Sequence, residues 1–190
     1  MELRIQLMGV KPMLQHNGRL MNPLDPYTQK LKQLTGKRKK TDEDLIEIMM
    51  VEARGGCWET EDGFLALPND AVWASIFAGA KSFKRGSDIK KALFFDDISL
   101  PIEVEGSQIK CDDFLKDPEN IFYRSVKIGR NRVMRARPKI TRWKSAVHTF
   151  ELFEDVIDVR DLVPILNTAG RLVGIGDYRP TYGTFTAEIL

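Results

Sequence analysis

The residues in this sequence that are best suited to chemistry are basic, and they are concentrated in two stretches. The segment from Arg124 to Lys144 holds nine lysines and arginines and no acidic residue, and the segment from Lys30 to Lys40 holds six, again without an acid. The formal net charge of the 190-residue chain is only +2, because the acidic residues are grouped elsewhere. Segregated basic surface is typical of proteins that bind a polyanion, since Lys and Arg contacts to phosphates supply most nonspecific nucleic-acid affinity. The alternative is a solvated charged face that acids balance in the fold.

Spacing within the longer basic segment predicts a strand that presents one cationic face. On a strand, Arg135, Arg137 and Lys139 project to one side, at intervals of about 6.6 Å (two residues at ~3.3 Å each). This interval suits the successive phosphates of an extended single strand of nucleic acid. We expect that replacing Arg135 and Arg137 with Ala weakens nucleic-acid binding with little loss of stability.

Aromatic residues and glycines near the basic residues add two further kinds of contact. Trp143, Tyr178 and Tyr182 are candidate stacking residues, because bases stack on aromatic rings while phosphates meet cations. Gly174 and Gly176 could let backbone amides approach a phosphate closely. Core packing for Trp143, and tight turns for the two glycines, are the alternatives. The residues predicted to bind nucleic acid or phosphate through their charge are Lys37, Arg38, Lys39, Lys40, Lys127, Arg130, Arg132, Arg135, Arg137, Lys139, Arg142 and Arg179.

Patterns for catalysis and metal binding are weak. The two histidines, His16 and His148, and the two cysteines, Cys57 and Cys111, form no cluster with zinc-ligand spacing. His16 is the best general base on offer, but no second acid–base group accompanies it in the sequence. We therefore predict no catalytic residue, no metal and no cofactor, which makes the protein non-enzymatic.

Hydrophobic periodicity and capping residues predict an α+β fold in a single domain, residues 1–190. A first strand over residues 2–10 precedes a helical and loop insertion over residues 11–64. A helix, two long strands, a second helix, a glycine-rich loop and a final strand follow. Without the insertion this order is β-α-β-β-α-β, the ferredoxin-like arrangement. Within it, Thr41 and the acids after it predict a capping box, and Pro138 predicts an edge, bulge or hairpin.

Cysteine usage and hydropathy predict a cytoplasmic protein without a membrane segment. Two cysteines cannot form a disulfide framework, which favours a reducing compartment. The N-terminus lacks the apolar core of a signal peptide. The longest apolar run, Ala71–Ala80, is shorter than the ~20 residues that span a bilayer.

Two segments resemble the RAMP superfamily, the RNA-binding backbone subunits of CRISPR effector complexes. Residues 166–185, LNTAGRLVGIGDYRPTYGTF, are similar to the glycine-rich loop and last strand of that superfamily, and residues 67–70, LPND, are similar to the entry into its first helix. The resemblance implies a ferredoxin- or RRM-type core, with the basic hairpin around Pro138 in the region that contacts RNA. Superfamily members that cut RNA use a histidine early in the chain, and we do not transfer that role to His16.

Nearly the whole chain also resembles a family of small bacteriophage and prophage proteins. The similarity is carried by residues 16–18, 37–41, 126–129, 135–138 and 176–180. It implies a phage origin and residence in the host cytoplasm, and it supplies no activity.

The leading hypothesis is a non-enzymatic phage protein, forming a homo-oligomer, that binds single-stranded RNA or DNA through a basic β-hairpin and the glycine-rich loop. The alternative is a counter-defence protein that sequesters a cyclic or oligonucleotide immune signal, which the same basic loops and Tyr178 would also suit. A closed pocket favours the small signal, whereas an open groove favours the polymer. Two further alternatives are a ribonuclease that uses His16 and an inhibitor whose acidic segments mimic nucleic acid.

Overall fold

The structure is a computed structural model, which describes the backbone of residues 1–190 and every side chain except that of residue 128. The fold is mixed α+β, as predicted, with antiparallel sheets. The strands are β1 (Glu2–Gly9), β2 (Met13–Leu14), β3 (Ala66–Pro68), β4 (Leu93–Phe94), β5 (Ser99–Val104), β6 (Ser107–Gln108), β7 (Ile121–Ile128), β8 (Asn131–Ile140), β9 (Trp143–Leu152) and β10 (Phe185–Ile189). The α-helices are α1 (Pro26–Thr35), α2 (Asp42–Gly56), α3 (Asn69–Lys81), α4 (Gly86–Ala92), α5 (Cys111–Phe114) and α6 (Val159–Thr168). Short 3-10 turns occupy Gly18–Met21 and Pro118–Asn120, and a π-helical turn occupies Ala169–Val173.

The larger sheet has the strand order β10-β1-β9-β5-β3, with β4 also paired to β9 and β6 to β5. β1 lies between β9 and β10 and is antiparallel to both. Its alternating residues Leu3, Ile5 and Leu7 are buried, as the sequence pattern predicts, because one face of the strand meets the core. They share one hydrophobic cluster with residues of α3 and α6. This cluster is the core between the larger sheet and the two helices.

The basic segment is built differently from its prediction, because residues 121–152 form three strands rather than two. β7 and β8 pair along their whole length around a turn in which Gly129 has φ +59°, and β9 then enters the larger sheet. Pro138 lies inside β8. The Pro138 carbonyl accepts a hydrogen bond from the Gln15 N–H at 3.1 Å. The nitrogen of a strand residue points to the same side as its carbonyl, so the Pro138 nitrogen faces the side of β8 on which the short β2 ends. The end of β2 explains how β8, the middle strand of the smaller sheet β2-β8-β7, tolerates a residue without a donor. The hairpin turn lies at Gly129, so the prediction of a hairpin at Pro138 is wrong.

The residues between β1 and β3 supply β2, α1 and α2. Thr41 Oγ1 accepts from the Asp44 N–H at 3.2 Å and the Asp44 carboxylate accepts from the Thr41 N–H at 3.1 Å, which confirms the predicted capping box. Asp25 caps α1 by accepting from the Tyr27 N–H, with Pro26 at the first helical position. Caps of this kind typically contribute about 1 kcal/mol each. α2 packs against both α1 and β8, and this contact brings the inserted residues to the basic hairpin.

Helix lengths bear on membrane insertion. α2 has 15 residues and α3 has 13. Among the residues whose positions are described, no helix is both long enough and apolar enough to cross a membrane.

Candidate nucleic-acid interface

A cleft of about 760 Å³ separates the β7–β8 hairpin from the inserted residues that follow β2. Its residues come from five places along the chain: the turn after β2, α1, α2, the hairpin, and the glycine-rich loop. They are His16, Leu20, Met21, Leu31, Glu52, Ser125, Val126, Lys127, Arg132, Arg135, Arg137 and Tyr178. The cleft therefore gathers four of the predicted phosphate-binding residues together with one predicted stacking residue.

A second cavity, of about 460 Å³, is lined mainly by the aromatic residues Phe94, Phe95 and Phe150 and by acidic side chains. It contains no lysine or arginine among its lining residues. Its charge does not suit a phosphate-bearing ligand, and we take the basic cleft as the candidate site.

His16 is held in the cleft by the two residues that flank it. The fully buried Gln15 side chain donates to the Ala66 carbonyl at 2.8 Å and accepts from the Trp58 N–H at 2.8 Å. The Asn17 side chain donates to the Cys57 carbonyl at 2.9 Å and accepts from the Arg19 N–H at 3.0 Å. Because both neighbours are anchored, the His16 ring is held in the lining of the cleft.

The pKa of His16 lies below its ordinary value. Partial burial is the largest cause, and the positive charges of Arg137 and Arg135 act in the same direction. The carboxylates of Asp177 and Glu52 oppose the shift without cancelling it. The shift favours the neutral form of the imidazole.

Glu52 forms the floor of the cleft and neutralises one of the predicted arginines. Its Oε1 lies 2.7 Å from Arg135 Nη1, and its Oε2 accepts from the Ala136 N–H at 2.8 Å. The Glu52 side chain is only 6% exposed, whereas that of Arg135 is 41% exposed. β2 ends before it reaches Ala136, so β2 supplies no carbonyl to accept a hydrogen bond from the Ala136 N–H. The Glu52 carboxylate accepts that hydrogen bond instead.

Arg137 is paired as well. Its guanidinium forms a short ion pair with the Asp177 carboxylate, and its side chain is only 13% exposed. Burial works to raise the pKa of Asp177, but hydrogen bonds from the Tyr178 N–H and from Arg137 outweigh burial and hold this pKa below its ordinary value. Asp177 is itself tied to β2, because its N–H donates to the Leu14 carbonyl at 2.7 Å.

These two ion pairs correct the expectation that replacing Arg135 and Arg137 with Ala has little effect on stability. Removing one partner of a buried pair leaves an uncompensated charge and typically costs about 3–5 kcal/mol. The cost at Arg135 is smaller than that because its side chain is partly solvated. The predicted alternation itself is confirmed: Ala136 is buried on one face of β8, while Arg135, Arg137 and Lys139 lie on the other.

The basic residues nearer the hairpin turn differ from Arg135 and Arg137, because they are exposed and have no acidic partner. We call them the hairpin cations. In the described part of the chain, none of the four has a carboxylate oxygen within 4.0 Å of its charged nitrogens. They are Arg124, Lys127, Arg130 and Arg132. Lys127 and Arg132 stand directly opposite each other across the two strands.

Three aromatic rings form a continuous series beside Arg124, which we call the aromatic run. The ring of Phe122 meets that of Tyr182 edge to face at a centroid distance of 5.2 Å, and Tyr182 lies 5.9 Å from Tyr178. The Arg124 guanidinium lies over Phe122, 5.2 Å from its centroid. Tyr178 is 55% exposed and reaches the rim of the cleft. The run therefore links the glycine-rich loop to the hairpin.

Trp143 does not belong to this surface, and its predicted stacking role is corrected. The residue is 3% exposed, its indole N–H donates to the Lys11 carbonyl at 3.3 Å, and its ring packs 6.5 Å from that of Phe185. It also covers Gly9, where any side chain would collide with the indole. The core-packing alternative holds, because β9 turns this position inward.

Gly174 and Gly176 serve backbone packing rather than phosphate approach. Gly174 has φ +75°, is buried, and donates its N–H to the Ala169 carbonyl at 2.7 Å. Gly176 has φ +83°, and a Cβ built there would lie 2.4 Å from the Leu14 carbonyl oxygen. The tight-turn alternative explains both, since only glycine tolerates these conformations at such close approach.

Other predicted residues lie away from the cleft. The exposed loop Lys37–Lys40 precedes α2, and Glu52 lies eleven residues beyond its cap Thr41, about 16 Å along the helix axis. Arg142 stands in the turn before β9, 3.9 Å from Glu105. Lys139 is half-buried and pairs with Leu14 of β2. Arg179 is exposed and makes a long contact of 3.4 Å to the Gly174 carbonyl.

The sequence-based prediction missed the acidic members of the site. Glu52 occupies a stripe position of α2, four residues after Ile48 and three after Met49, and a charge in a buried stripe was the available signal. No comparable local signal marks Asp177 as the partner of Arg137, forty residues earlier in the chain.

The described residues contain no group of three or more His, Cys, Asp or Glu side chains that could hold a metal ion. The site is composed of cations, two carboxylates that pair with arginines, aromatic rings and the His16 imidazole. In comparisons with known proteins, no protein-family model matches this chain and no curated protein matches it.

Proposed function

We propose that this protein binds single-stranded nucleic acid without cleaving it, through the hairpin cations and the aromatic run. The observation that carries the proposal is that Arg124, Lys127, Arg130 and Arg132 are exposed and lack acidic partners within the described structure. Elsewhere on the same strands, Arg135 and Arg137 each face a carboxylate. The unpaired cations are the ones free to meet phosphates.

The placement of these cations is unfavourable for the folded protein alone. Like charges directly opposite on neighbouring strands are destabilising, and Lys127 faces Arg132 in this way. A phosphate between or beside the two side chains would relieve that repulsion. The arrangement fits an anionic partner better than it fits a free solvated surface.

The aromatic run supplies the other half of single-strand recognition. Bases stack on aromatic rings with little sequence preference, while cations track the backbone. Tyr178 is the most exposed of the three rings, and Phe122 already carries the Arg124 guanidinium on its face. We assign Tyr178 and Tyr182 to stacking, whereas Trp143 is excluded from it by burial.

We also propose that the core is of the ferredoxin-like type found in RRM and RAMP proteins. The strand order β10-β1-β9, with β5 beyond β9, supports it, as do α3 between β1 and β4 and α6 between β9 and β10. On this view the β7–β8 hairpin and the residues between β1 and β3 are additions to that core, and both line the cleft.

The remaining proposals concern setting and assembly. We propose a phage protein that acts in the host cytoplasm, on the resemblance described above. We propose a homo-oligomer because β10 ends the strand order of the larger sheet, so that its outer edge is available to a second copy. Light scattering at several protein concentrations tests the assembly, and a single monomer mass throughout would contradict it.

Filter binding with single-stranded RNA and DNA tests the main proposal. If each of the four hairpin cations meets one phosphate, the affinity falls about fiftyfold between ~50 and ~200 mM salt, from a slope of about −0.7 per contact. Binding that is absent, or that does not change with salt, would refute the proposal. The same samples are run on a denaturing gel, where cleavage that disappears in His16→Ala would establish the ribonuclease alternative instead.

The second candidate function is sequestration of a small nucleotide signal, and the cleft is the observation that favours it. Its volume of about 760 Å³ lies within the ~300–1,000 Å³ typical of small-molecule sites. Its mixture of arginines, an imidazole and Tyr178 suits a compact phosphate-bearing ligand. A thermal-shift comparison decides: stabilisation by a cyclic dinucleotide and not by an oligonucleotide favours the signal, and the reverse favours the polymer.

A further inference from the structure

The cleft contains two chemically different sets of residues. The turn after His16 and helix α1 contribute the apolar residues Leu20, Met21 and Leu31. Those contributed by the hairpin are mainly cationic, and Lys127 and Arg132 are the two that lack acidic partners in the described structure. The apolar residues have no part in the phosphate contacts of the hairpin cations.

The apolar residues on the turn after His16 are held in place by contacts with the rest of the protein. Leu20 packs so closely on α2 that a Cβ at Gly55 would lie 2.6 Å from its Cδ2. The turn that carries Leu20 is capped by Asn17 and is held to the chain after α2 by the Arg19–Glu59 ion pair at 3.0 Å. Met21, the next residue, is 81% exposed. A fixed turn therefore presents an exposed methionine at the mouth of a cationic cleft.

We propose that this cleft holds one nucleotide unit of a bound single strand, with its base on Leu20, Met21 and Leu31 and its phosphate on Lys127 and Arg132. The inference rests on the proposed single-strand binding. It adds the position at which one base is buried against the protein. The unbranched, polarisable side chain of methionine suits contact with the flat face of any base. His16 and Tyr178 complete the rim, so that the neighbouring bases continue onto the aromatic run.

Oligonucleotides with and without bases test the inference. Fluorescence anisotropy compares an ordinary single strand with an abasic strand of the same length, whose backbone charge is unchanged. Each strand is titrated with wild type, with Met21→Ser, and with the matched control Leu172→Ser, whose leucine is 70% exposed and does not line the cleft. We expect the abasic strand to bind wild type about tenfold more weakly, and Met21→Ser to weaken the ordinary strand about fivefold.

The coupling between the two changes is the decisive readout. Because Met21 is proposed to contact the base, Met21→Ser should not weaken the abasic strand further, and Leu172→Ser should change neither affinity. Equal weakening of both strands by Met21→Ser, or no weakening of either, overturns the nucleotide site while leaving salt-dependent binding intact. If wild type binds neither strand at low salt, the proposed function itself fails, and the inference fails with it.

Discussion

The buried imidazole of His148 makes the stability of this protein depend on pH. The residue is 0% exposed in β9, and its Nδ1 lies 2.6 Å from Asn69 Oδ1. The Asn69 amide nitrogen donates to the Asp96 carbonyl at 3.0 Å, so Oδ1 must accept and Nδ1 must carry the proton. The other ring nitrogen, Nε2, is buried and has no partner in the described structure. A second proton would place a charged donor in the core with nothing to accept it.

Burial lowers the pKa of His148 from 6.5 to about 4. As pH falls, the unfolded chain takes up the proton near 6.5, whereas the folded protein resists it until about 4. Stability is therefore lost across this window and is fully present above it. Linkage gives a loss of about 2 kcal/mol between about pH 7.5 and about pH 5 from this one group.

Urea unfolding across this range tests the effect, with His148→Gln as the comparison. All other titratable groups, His16 among them, are shared by both proteins, so the difference between the two pH profiles isolates His148. We expect wild type to lose about 2 kcal/mol more than the variant. Parallel profiles would refute the reasoning. If the variant does not fold, an NMR titration of His148 in wild type replaces the comparison of unfolding profiles. A His148 pKa above 6 would then refute the reasoning.

Three further predictions concern the site and its support. Glu52→Gln keeps an acceptor for the Ala136 N–H but removes the charge that faces Arg135. Urea unfolding should show a loss of about 2 kcal/mol in the free energy of unfolding, and an unchanged midpoint would argue against a stabilising ion pair. Gly55→Ala places a Cβ within 2.6 Å of Leu20, so thermal unfolding should show a loss of stability of about 1–3 kcal/mol. An unchanged melting temperature would show that the turn carrying Leu20 moves away without a cost in stability. Trp143→Phe removes the hydrogen bond to the Lys11 carbonyl and part of the core volume, so it should lower stability by about 1–3 kcal/mol. The salt dependence of nucleic-acid binding should not change, and a change would show that Trp143 belongs to the binding surface.

Features set by neighbouring residues could be predicted from the sequence. The burial alternation of β1 and the capping box at Thr41 both follow from residue spacing within a few positions. The alternation of Arg135 and Arg137 with Ala136 follows from the same rule. In each case the local pattern agrees with the burial that the fold imposes.

Features set by distant residues could not be predicted in this way. Arg135 is neutralised by Glu52, 83 residues away, and Arg137 by Asp177, 40 residues away, so neither pairing leaves a local trace in the basic segment. Trp143 lies between two basic residues in sequence, yet the crossing of β9 into the larger sheet turns it into the core. Charge composition therefore identified the hairpin as basic but could not tell which cations were already paired.

The distinction between paired and unpaired cations is the central claim, and the salt dependence of single-strand binding tests it most directly. Log affinity is plotted against log salt for wild type, for Lys127→Ala/Arg132→Ala, and for the control Lys84→Ala/Lys91→Ala, which removes the same charge from exposed residues outside the cleft. All three should fold, because the replaced side chains are exposed, and the hairpin variant should be no less stable than wild type because it loses the repulsion between Lys127 and Arg132. We predict a slope of about −2.8 for wild type and for the control, and about −1.4 for the hairpin variant. Equal slopes for all three proteins, or the same reduction in the control, would contradict the assignment of binding to the hairpin cations.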